Sequence, residues 1–457
     1  MKFQNQDDTI CALSSGAGVG AIALIRLSGK KAISTASQIF SKSLADKKTH
    51  TAHFGKIVNG KEIIDEVVIT IFLNPTSFTG EDLVEISCHG SRYIQAEILK
   101  LLTKNGARLA GPGEFSLRAF LNGKMDLSQT EAIADLIMAN SKAAHDIAIH
   151  QLRGGFANEI NTLRTELLNF ASLVELELDF SQEDVEFADR KQLTDLIERI
   201  SKRVNELIAS FKLGNVIKNG VPVAIVGAPN AGKSTLLNAL LNEEKAIVSD
   251  IAGTTRDVIE DTIIIEGIEF RFIDTAGIRD TADKIEILGI ERSFEQIKKA
   301  SILLLLFDLK VEKAAGILAY IDQFKKRSVN EGQTLTPLFN KSDGTNLNNF
   351  ESLKNVGLFI AAKSKENLEV LKKKLIESIN FELSENQLIV TNVRHLDVLK
   401  MCQLSLKRVE EGLSAEIPGD LLAQDIRETI YHLSDITGDI SNDELLGNIF
   451  ANFCIGK

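Results

Sequence analysis

Residues 221–234 read VPVAIVGAPNAGKS, an apolar run that ends in the pattern G-x-x-x-x-G-K-S, and a helical stretch follows from Thr235. A strand, a glycine-rich turn and a helix in this order are typical of a phosphate-binding loop, in which backbone N–H groups turn toward phosphate oxygens. Lys233 adds positive charge there, and the Ser234 hydroxyl is a ligand type that Mg²⁺ accepts. The stretch therefore predicts an α/β nucleotide-binding domain.

Three further segments follow in the order of a guanine-nucleotide switch domain. Residues 251–257 are rich in Gly and Thr, residues 274–277 read Asp-Thr-Ala-Gly after a strand-like run, and residues 340–343 read Asn-Lys-Ser-Asp after another. A threonine hydroxyl in the first segment and the carboxylate of Asp274 suit a Mg²⁺ site that senses the γ-phosphate. Four motifs in this order make a chance match improbable.

The base is read by the last of these segments. The carboxylate of Asp343 can accept two hydrogen bonds from guanine, whereas adenine presents an acceptor at the equivalent ring nitrogen. The sequence therefore predicts GTP as the nucleotide. Residues 361–363 can offer guanine a backbone N–H, although the serine usual at such a segment is absent.

The residue after the Asp-Thr-Ala-Gly segment is Ile278, which cannot orient a water molecule as the glutamine of Ras-like switches does. The chain needs another water-positioning group and a cation for the charge that develops on the phosphates. An arginine finger is one solution. A monovalent cation held by the Asn230 side chain is another, and spacing alone leaves both open.

Length and composition indicate the general class of the protein. Its 457 residues, 44% hydrophobic and 25% charged, predict a globular protein of about three domains. No apolar run reaches about 18 residues and the N-terminus lacks the pattern of a secretion signal, so we expect a cytoplasmic protein without a membrane span. The four cysteines lie far apart and predict neither a disulfide framework nor a zinc site.

The charge is distributed unevenly. Residues 123–217 and 382–457 together carry 29 acidic and 16 basic side chains, whereas residues 1–122 are slightly basic. Acidic surfaces repel phosphate backbones, so an RNA substrate would need a partner or a local basic patch to hold it.

Helical periodicity coincides with the acidic segments. A capping-box pattern at Ser128–Glu131 predicts a helix start, with helical spacing through Ile149, and a second such pattern begins at Ser441. Further helices are predicted at about 159–180, 192–211, 393–410, 421–434 and 444–453, with a linker between Gly214 and Gly220. Residues 1–122 instead alternate short β-branched runs with one helix, an α+β pattern.

We therefore predict a multidomain α/β protein in which a nucleotide-binding domain interrupts a helical one. The predicted domains are residues 1–122 (α+β), 123–217 (helical, first part), 218–381 (inserted Ras-like GTPase domain) and 382–457 (helical, second part).

The whole chain resembles the MnmE (TrmE) family of bacterial tRNA modification GTPases. The resemblance rests on residues 77–82 (SFTGED), 112–122 (PGEFSLRAFLN), the nucleotide motifs, residues 289–292 (GIER) and the terminal 454–457 (CIGK). It implies nucleotide contacts from four segments: Asn230, Ala231, Gly232, Lys233, Ser234 and Thr235; Ser249, Asp250, Ile251, Ala252, Gly253, Thr254 and Thr255; Asp274, Thr275, Ala276 and Gly277; and Asn340, Lys341 and Asp343.

The resemblance also implies metal ligands and a hydrolytic mechanism. Ser234 and Thr255 match Mg²⁺ ligands, and K⁺ is expected on Asn230, Ser249, Ile251 and Thr254. Glu286, twelve residues after Asp274, matches a catalytic glutamate that orients water. Paired GTPase domains are expected to hydrolyse GTP in a homodimer.

A second site is implied at the N-terminal domain, which in this family binds 5-formyltetrahydrofolate or a related folate and holds the homodimer together. Arg26, Glu85 and Lys124 match folate-contacting positions, Lys457 is expected at the same place, and Cys454 matches the functionally required cysteine. The implied reaction installs an aminomethyl-type group on C5 of the wobble uridine of certain tRNAs, together with the FAD-dependent partner MnmG (GidA).

Two other functions compete with this one. A ribosome-assembly GTPase of the Era/EngA type predicts an appended basic RNA-binding module, which the acidic helices after residue 381 do not resemble. A purely regulatory GTPase scaffold predicts no folate binding.

Overall fold

The computed structural model describes residues 8–16, 18–179, 190–244, 261–273, 298–330, 333–379, 388–415, 417–439, 443–451, 453 and 455–456. They form two compact units. One draws on residues 1–138, 148–205 and 394–457, and the other on residues 139–147 and 206–393. The finer division into four segments stays a prediction.

The first unit begins with a six-stranded sheet. Its strands are β1 (Thr9–Leu13), β2 (Ile22–Ser28), β3 (Thr51–Asn59), β4 (Glu62–Phe72), β5 (Leu83–His89) and β6 (Ala107–Leu109), in the order β3-β4-β5-β2-β1-β6. All neighbours are antiparallel except β1 and β6. The helices α1 (Ala32–Ile39) and α2 (Arg92–Lys104) contribute to the core with one face of this sheet.

Alternation along the strands decides which residues are buried. In β5, Val84, Ile86 and Cys88 are core residues, whereas Glu85 and Ser87 belong to the opposite face. Part of that opposite face is covered by the helix α3 (Glu114–Leu121), whose Phe115 is buried with Ile10 of β1. The predicted α+β character of the N-terminal region is confirmed.

In the helical segments, the described residues form seven helices. They are α4 (Leu127–Met138), α5 (Lys142–Leu152), α6 (Gly155–Asp179), α7 (Arg190–Asn219), α11 (Val393–Ser414), α12 (Gly419–Thr437) and α13 (Asp443–Ala451). Within the first unit, α6 packs along α12, where Arg164 Nε donates to the Ser434 hydroxyl at 2.7 Å. Helices from before and after the nucleotide-binding segment therefore share one packed region.

The start of α4 differs from the prediction. The cap is Asp126, whose Oδ1 accepts from the Gln129 N–H at 2.9 Å, while Gln129 Oε1 accepts from the Asp126 N–H at 3.0 Å. The box predicted at Ser128–Glu131 is wrong because Ser128 instead donates to Asp126 and Glu131 is buried. The predicted helix through Ile149 is also divided, since Ser141 Oγ accepts the Ala144 N–H in front of α5.

Glu131 belongs to a buried ion-pair cluster. Its carboxylate accepts from Arg394 Nε at 2.9 Å and Nη2 at 3.0 Å, and lies 2.7 Å from His395 Nε2. The His395 ring stacks on Phe156 at 5.0 Å. Burial raises the pKa of Glu131, but the charges and hydrogen bonds of His395 and Arg394 lower it to about 2. The cluster joins α4 to α11, helices separated by more than 250 residues.

The predicted linker at Gly214–Gly220 is wrong, because α7 continues to Asn219. Gly214 lies inside the helix, where a Cβ atom would stand 2.1 Å from the Val390 carbonyl oxygen. That close approach of two backbones requires the glycine. Asn219 is the last residue of the helix, and Gly220 stops it with a φ of 76°, in the left-handed region.

The second unit contains a sheet in the order β12-β11-β10-β7-β9-β8. Its strands are β7 (Val221–Gly227), β8 (Asp261–Ile265), β9 (Ile268–Phe272), β10 (Ile302–Asp308), β11 (Thr334–Asn340) and β12 (Leu358–Phe359), and only the β8–β9 pair is antiparallel. The α-helices described after Gly220 in this unit are α8 (Lys233–Glu244), α9 (Ala314–Ser328) and α10 (Leu368–Glu377).

Helices cover both faces of this sheet. Leu304 and Leu306 of β10 are in one core cluster with residues of α8 and α10, whereas Leu303, Leu305 and Phe307 are in another with α9. Burial on both faces explains why β10 is a continuous apolar run. This is the predicted Ras-like α/β architecture, and the fold class is confirmed. Among the residues described, no helix has the length and apolar character needed to cross a membrane.

We predict that Glu131→Gln lowers the free energy of opening of α4 and α11 by about 3 to 5 kcal/mol, because it leaves buried positive charge uncompensated. Hydrogen exchange of peptides from both helices measures this. The folded pKa of Glu131 lies below its ordinary value of 4.5, so the difference from wild type is full above about pH 4.5 and shrinks as the pH falls toward about 2.

The matched control is Glu411→Gln on α11, an exposed carboxylate 3.7 Å from Lys407 Nζ. It is expected to change the free energy by no more than about 0.5 kcal/mol. An equal effect of both substitutions, or a difference that does not depend on pH, would contradict the assignment.

Candidate functional site

The phosphate-binding loop joins β7 to α8 at the carboxyl edge of the sheet. Asn230 has a φ of 62° and Gly232 a φ of 101°, so the backbone turns twice through the left-handed region. At Gly232 a Cβ atom would lie 2.3 Å from Asn340 Nδ2. Only glycine fits there, because the Asn340 side chain packs directly on the loop backbone.

Lys233 points its ammonium group along this loop. Its Nζ donates to the carbonyl oxygens of Gly227 at 2.8 Å and Ala228 at 3.0 Å, and burial lowers its pKa. Ser234 and Thr235 are exposed in the first turn of α8. A half-buried cation beside the N-terminus of a helix favours binding of an anion such as a phosphate.

Asn340 connects three segments and is 2% exposed. Its Nδ2 donates to the Ala231 carbonyl at 2.8 Å, and its Oδ1 accepts from the Ala362 N–H at 3.0 Å. The Ala361 N–H donates to the Glu366 carbonyl at 3.2 Å. These two amides, in the segment predicted to contact guanine, therefore already have partners within the protein.

Lys341 and Asp343 belong to residues 340–343, the segment that the sequence predicts to read the base and that we call the base-reading segment. Asp343 lies in a single turn of 3₁₀-helix, Ser342–Gly344, and its Oδ2 is 3.5 Å from the Ser364 hydroxyl. Lys341 has a φ of 66°, and its Nζ donates to the Asn230 carbonyl at 3.2 Å and to Asp308. The structure thus brings together the loop and the base-reading segment at one edge of the sheet.

Asp308 is the residue that sequence reasoning missed at this site. It ends β10 and stands directly opposite Asn340 in the parallel register with β11. An acidic residue at the carboxyl end of an otherwise apolar strand was the available signal.

Several predicted residues lie outside the described part of the chain. They are the switch residues Ser249, Asp250, Ile251, Ala252, Gly253, Thr254, Thr255, Asp274, Thr275, Ala276 and Gly277, with Glu286, Cys454 and Lys457. Of the other cysteines, Cys11, Cys88 and Cys402 are buried, and burial raises the pKa of both Cys11 and Cys88 to about 11. Those two stay protonated at neutral pH.

A second candidate site lies on the N-terminal sheet. Arg26 of β2 and Glu85 of β5 are direct cross-strand partners, with Nη2 and Oε1 2.6 Å apart. The guanidinium carbon stands 5.4 Å from the centre of the Phe78 ring and 5.8 Å from that of Phe115. Phe115 is fully buried, whereas Phe78 is partly exposed, so the charged pair beside the Phe78 ring suits a planar heterocycle with hydrogen-bonding edges.

Lys124 lies on the neighbouring loop. Its Nζ donates to the Pro75 carbonyl at 2.9 Å, and its side chain passes Gly80, where a Cβ atom would be 3.3 Å from Lys124 Cδ. A cavity of about 370 Å³ adjoins this loop, with Gly80 and Arg118 in its wall.

Arg118 organises the surrounding charges and was also missed as a functional candidate. It donates to Asp8, Glu81 and Glu114, and Glu81 in turn accepts from the Ser28 hydroxyl. Burial alone raises the pKa of Glu114, but hydrogen bonds from Arg108 and the Gly111 N–H hold it below its usual range. This network fixes α3 against the loop that carries Phe78.

The chain's C-terminal segment reaches the same region. The Ser14 hydroxyl donates to the Gly456 carbonyl at 2.9 Å, and Ile455 forms an antiparallel bridge with Pro112. Gly456 has a φ of 94°, and a Cβ atom there would be 2.2 Å from the Leu13 carbonyl. The neighbours of Cys454 and Lys457 are thus held at the end of β1.

Comparison with known proteins assigns the family. A family model described as the MnmE helical domain matches residues 127–454, and one described as the GTP-binding protein TrmE N-terminus matches residues 9–124. The chain belongs to the MnmE family of tRNA modification GTPases.

Curated relatives extend the match over the full length. A tRNA modification GTPase MnmE from Flavobacterium psychrophilum is 53% identical over 458 residues, covering 98% of this chain and 99% of the relative. Those from Cytophaga hutchinsonii and Flavobacterium johnsoniae are 52% and 54% identical, over 99% and 98% of this chain and 98% and 99% of the relatives. Family membership confirms the predicted GTP hydrolase and its nucleotide, GTP.

Among solved structures, the G domain of the FeoB iron transporter from T. maritima matches 35% of this chain and 98% of its own length. Its identity is 22% and its TM-score 0.25, a likeness too low to carry an argument.

We predict that Asp343→Asn shifts nucleotide preference from guanine toward xanthine, because the carboxamide replaces one acceptor by a donor. Competition of xanthosine and guanosine diphosphates for the full-length protein measures the shift. The matched control is Asp322→Asn on α9, an exposed carboxylate in the same unit, which should keep the wild-type preference. An unchanged preference in Asp343→Asn would refute base reading by this residue.

Proposed function

We propose that this GTPase is activated by K⁺ and works as a homodimer with MnmG (GidA). The pair would install an aminomethyl or carboxymethylaminomethyl group on C5 of the wobble uridine, U34, of certain tRNAs. The carbon unit would come from a tetrahydrofolate, such as 5-formyltetrahydrofolate. Family membership supports tRNA as the substrate class.

The observation that carries the proposal is the N-terminal site. A phosphate-binding loop alone supports nucleotide hydrolysis, but Arg26 and Glu85 form a charged pair in a different part of the chain, and the Arg26 guanidinium lies beside the Phe78 ring. The C-terminal segment is fastened at the end of β1, the strand beside β2. A regulatory scaffold needs neither feature.

These residue types fit a folate. The Glu85 carboxylate accepts from N–H groups, as the amino-pyrimidinone edge of a reduced pterin offers, and Arg26 donates. The partly exposed ring of Phe78 suits a planar heterocycle, while Lys124 and Lys457 supply charge for its carboxylates. When bound, the folate would supply the one-carbon unit, and these side chains would bind and orient it.

The oxygen ligands expected at the nucleotide fit two different metal ions. The hydroxyls of Ser234 and Thr255 suit Mg²⁺. The amide oxygen of Asn230, with Ser249, Ile251 and Thr254, suits K⁺, which would neutralise charge on the transferred phosphate. Asn230 is exposed on the loop, and its left-handed backbone sets the direction of its side chain.

The hydrolytic step needs a group that positions water, which Ile278 lacks. We assign that role to Glu286, whose carboxylate can accept a proton or hydrogen bond from the attacking water. Pairing of two GTPase domains would bring the switches of both protomers into order and make hydrolysis depend on dimerisation.

A row of exposed and partly exposed side chains on the N-terminal sheet supports the homodimer. Phe54, Val68, Ser87 and Leu24 are successive partners across β3, β4, β5 and β2, and Phe54 is 59% exposed. The next row of the same face contains Glu85 and Arg26. A second copy seated on the apolar row would lie beside the charged pair.

The acidic balance of the helical segments supports a partner for tRNA binding. An acidic surface gains no counterion release from a phosphate backbone, so the basic surface must come largely from elsewhere. We assign that surface to MnmG.

We predict that GTP turnover of the full-length protein falls at least about tenfold when K⁺ is replaced by Na⁺, because the loss of a charge stabiliser at the phosphates raises the barrier. GDP binding should be equal in both salts, which separates catalysis from affinity. Asn230→Ala should be slow in either salt. Equal turnover of wild type in K⁺ and Na⁺ would refute the cation site.

We also predict that Arg26→Ala abolishes U34 modification while the GTP turnover of the purified protein stays within about twofold of wild type. Mass spectrometry of wobble uridines from complemented deletion cells measures the first, and phosphate release the second. Arg92→Ala, an exposed arginine on α2, is the control and should restore modification. Normal modification with Arg26→Ala would refute the N-terminal site.

A further inference from the structure

Asp308 is the last residue of β10, beside the candidate nucleotide site, and it is 8% exposed. One carboxylate oxygen, Oδ2, accepts from Lys341 Nζ, and the other accepts from the Lys310 N–H at 3.0 Å. The Asp308 N–H donates to Glu312 Oε1 at 3.1 Å. Both carboxylate oxygens therefore have hydrogen-bond partners, and one of these partners is the backbone that follows β10.

Lys341 spans the distance from the base-reading segment to the phosphate loop. Its Nζ touches Asp308 at one side and the Asn230 carbonyl at 3.2 Å on the other. A lysine side chain carries about 2 kcal/mol of rotamer entropy, so a single carbonyl does not hold it in one conformation. The buried carboxylate supplies a charge partner that does.

The Lys341 contact is thus a second hydrogen bond between the phosphate loop and the base-reading segment. The first is the hydrogen bond from Asn340 Nδ2 to the Ala231 carbonyl at 2.8 Å. The second runs from Lys341, the residue after Asn340, to the carbonyl of Asn230, the residue before Ala231. A nucleotide that touches phosphate loop and base-reading segment together binds more tightly when both are already fixed relative to each other.

We propose that Asp308 is a positioning residue for GTP and GDP: it holds Lys341 against the Asn230 carbonyl and so pre-organises the base-reading segment on the phosphate loop. This role requires the negative charge at the end of β10, and Asp308 itself need not touch the nucleotide. The inference depends only on nucleotide binding. It is independent of K⁺ activation, folate and tRNA.

The first test is Asp308→Asn in the full-length protein, because the carboxamide keeps the shape of the side chain and removes its charge. Binding of fluorescent N-methylanthraniloyl-GDP in Na⁺ buffer should weaken about tenfold, the loss expected for a hydrogen bond between charged groups. Asp322→Asn on α9 removes an equal charge from an exposed position of the same unit and should bind as wild type.

Steady-state kinetics with GTP and K⁺ distinguish positioning from partial unfolding. The KM for GTP should rise about tenfold with kcat within about twofold of wild type, whereas a partly unfolded preparation lowers kcat. An Asp308→Asn protein that binds GDP as tightly as wild type would overturn the proposal. Slow turnover in K⁺ with normal GDP binding would also overturn it, because Asp308 would then act on hydrolysis and not on nucleotide binding.

A double-mutant cycle tests whether Asp308 acts through Lys341. Lys341→Met keeps the aliphatic stem and removes the ammonium, and it also serves if Asp308→Asn folds poorly. Combining the two substitutions should weaken GDP binding no further than Lys341→Met alone, because the same contact is lost. Losses that multiply would show that Asp308 acts on another part of the site and would overturn the proposal.

Discussion

Parallel pairing of β7, β10 and β11 is the constraint on which the described nucleotide site depends. Parallel strands bring their carboxyl ends to one edge, so the loop after β7, Asp308 at the end of β10 and Asn340 at the end of β11 meet without any local sequence relation. A shift in the register of β11 would separate Asn340 from both Asp308 and the Ala231 carbonyl. The buried apolar run of β10 fixes that register, because its side chains are packed on both faces of the sheet.

A different constraint holds the helical part of the first unit together. The helices α4 and α11 are joined by Glu131, Arg394 and His395, groups that are costly to bury singly and stable only as a set. Arg394 also donates to the carbonyl oxygens of Asp435 and Ile436 near the end of α12. One guanidinium therefore fixes three helices, two of which follow the nucleotide-binding segment in sequence.

The parts of the fold predicted from sequence are those with local signals. The order of motifs around Lys233 and Asn340 predicts the Ras-like unit, because glycine spacing and strand ends are local properties. The position of Asp308 at the end of an apolar strand is a local signal, but its partner Lys341 is not, because strand pairing brings the two together. At α4 two overlapping patterns, Asp126 with Gln129 and Ser128 with Glu131, both fit a capping box. The tertiary ion pair of Glu131 decides between them, and no spacing rule contains that information. Gly214 is a similar case: a glycine is expected both in a linker and at a close backbone contact within a helix, so the residue type alone does not distinguish the two.

The two candidate sites differ in how much of the chain each requires. The described hydrogen bonds that shape the candidate nucleotide site all lie within residues 227–366 and depend on a single sheet. The N-terminal site combines β2 and β5 with a C-terminal segment whose Gly456 is hydrogen-bonded to Ser14, 442 residues away. That segment follows α13, whose Leu446 and Phe450 are buried with Leu117 of α3 and Leu127 of α4. Docking of the C-terminal segment therefore depends on the helices that Glu131 and Arg394 join. A substitution in that buried cluster would disturb the N-terminal site without touching it, whereas the nucleotide loop, with its own core, would keep its geometry.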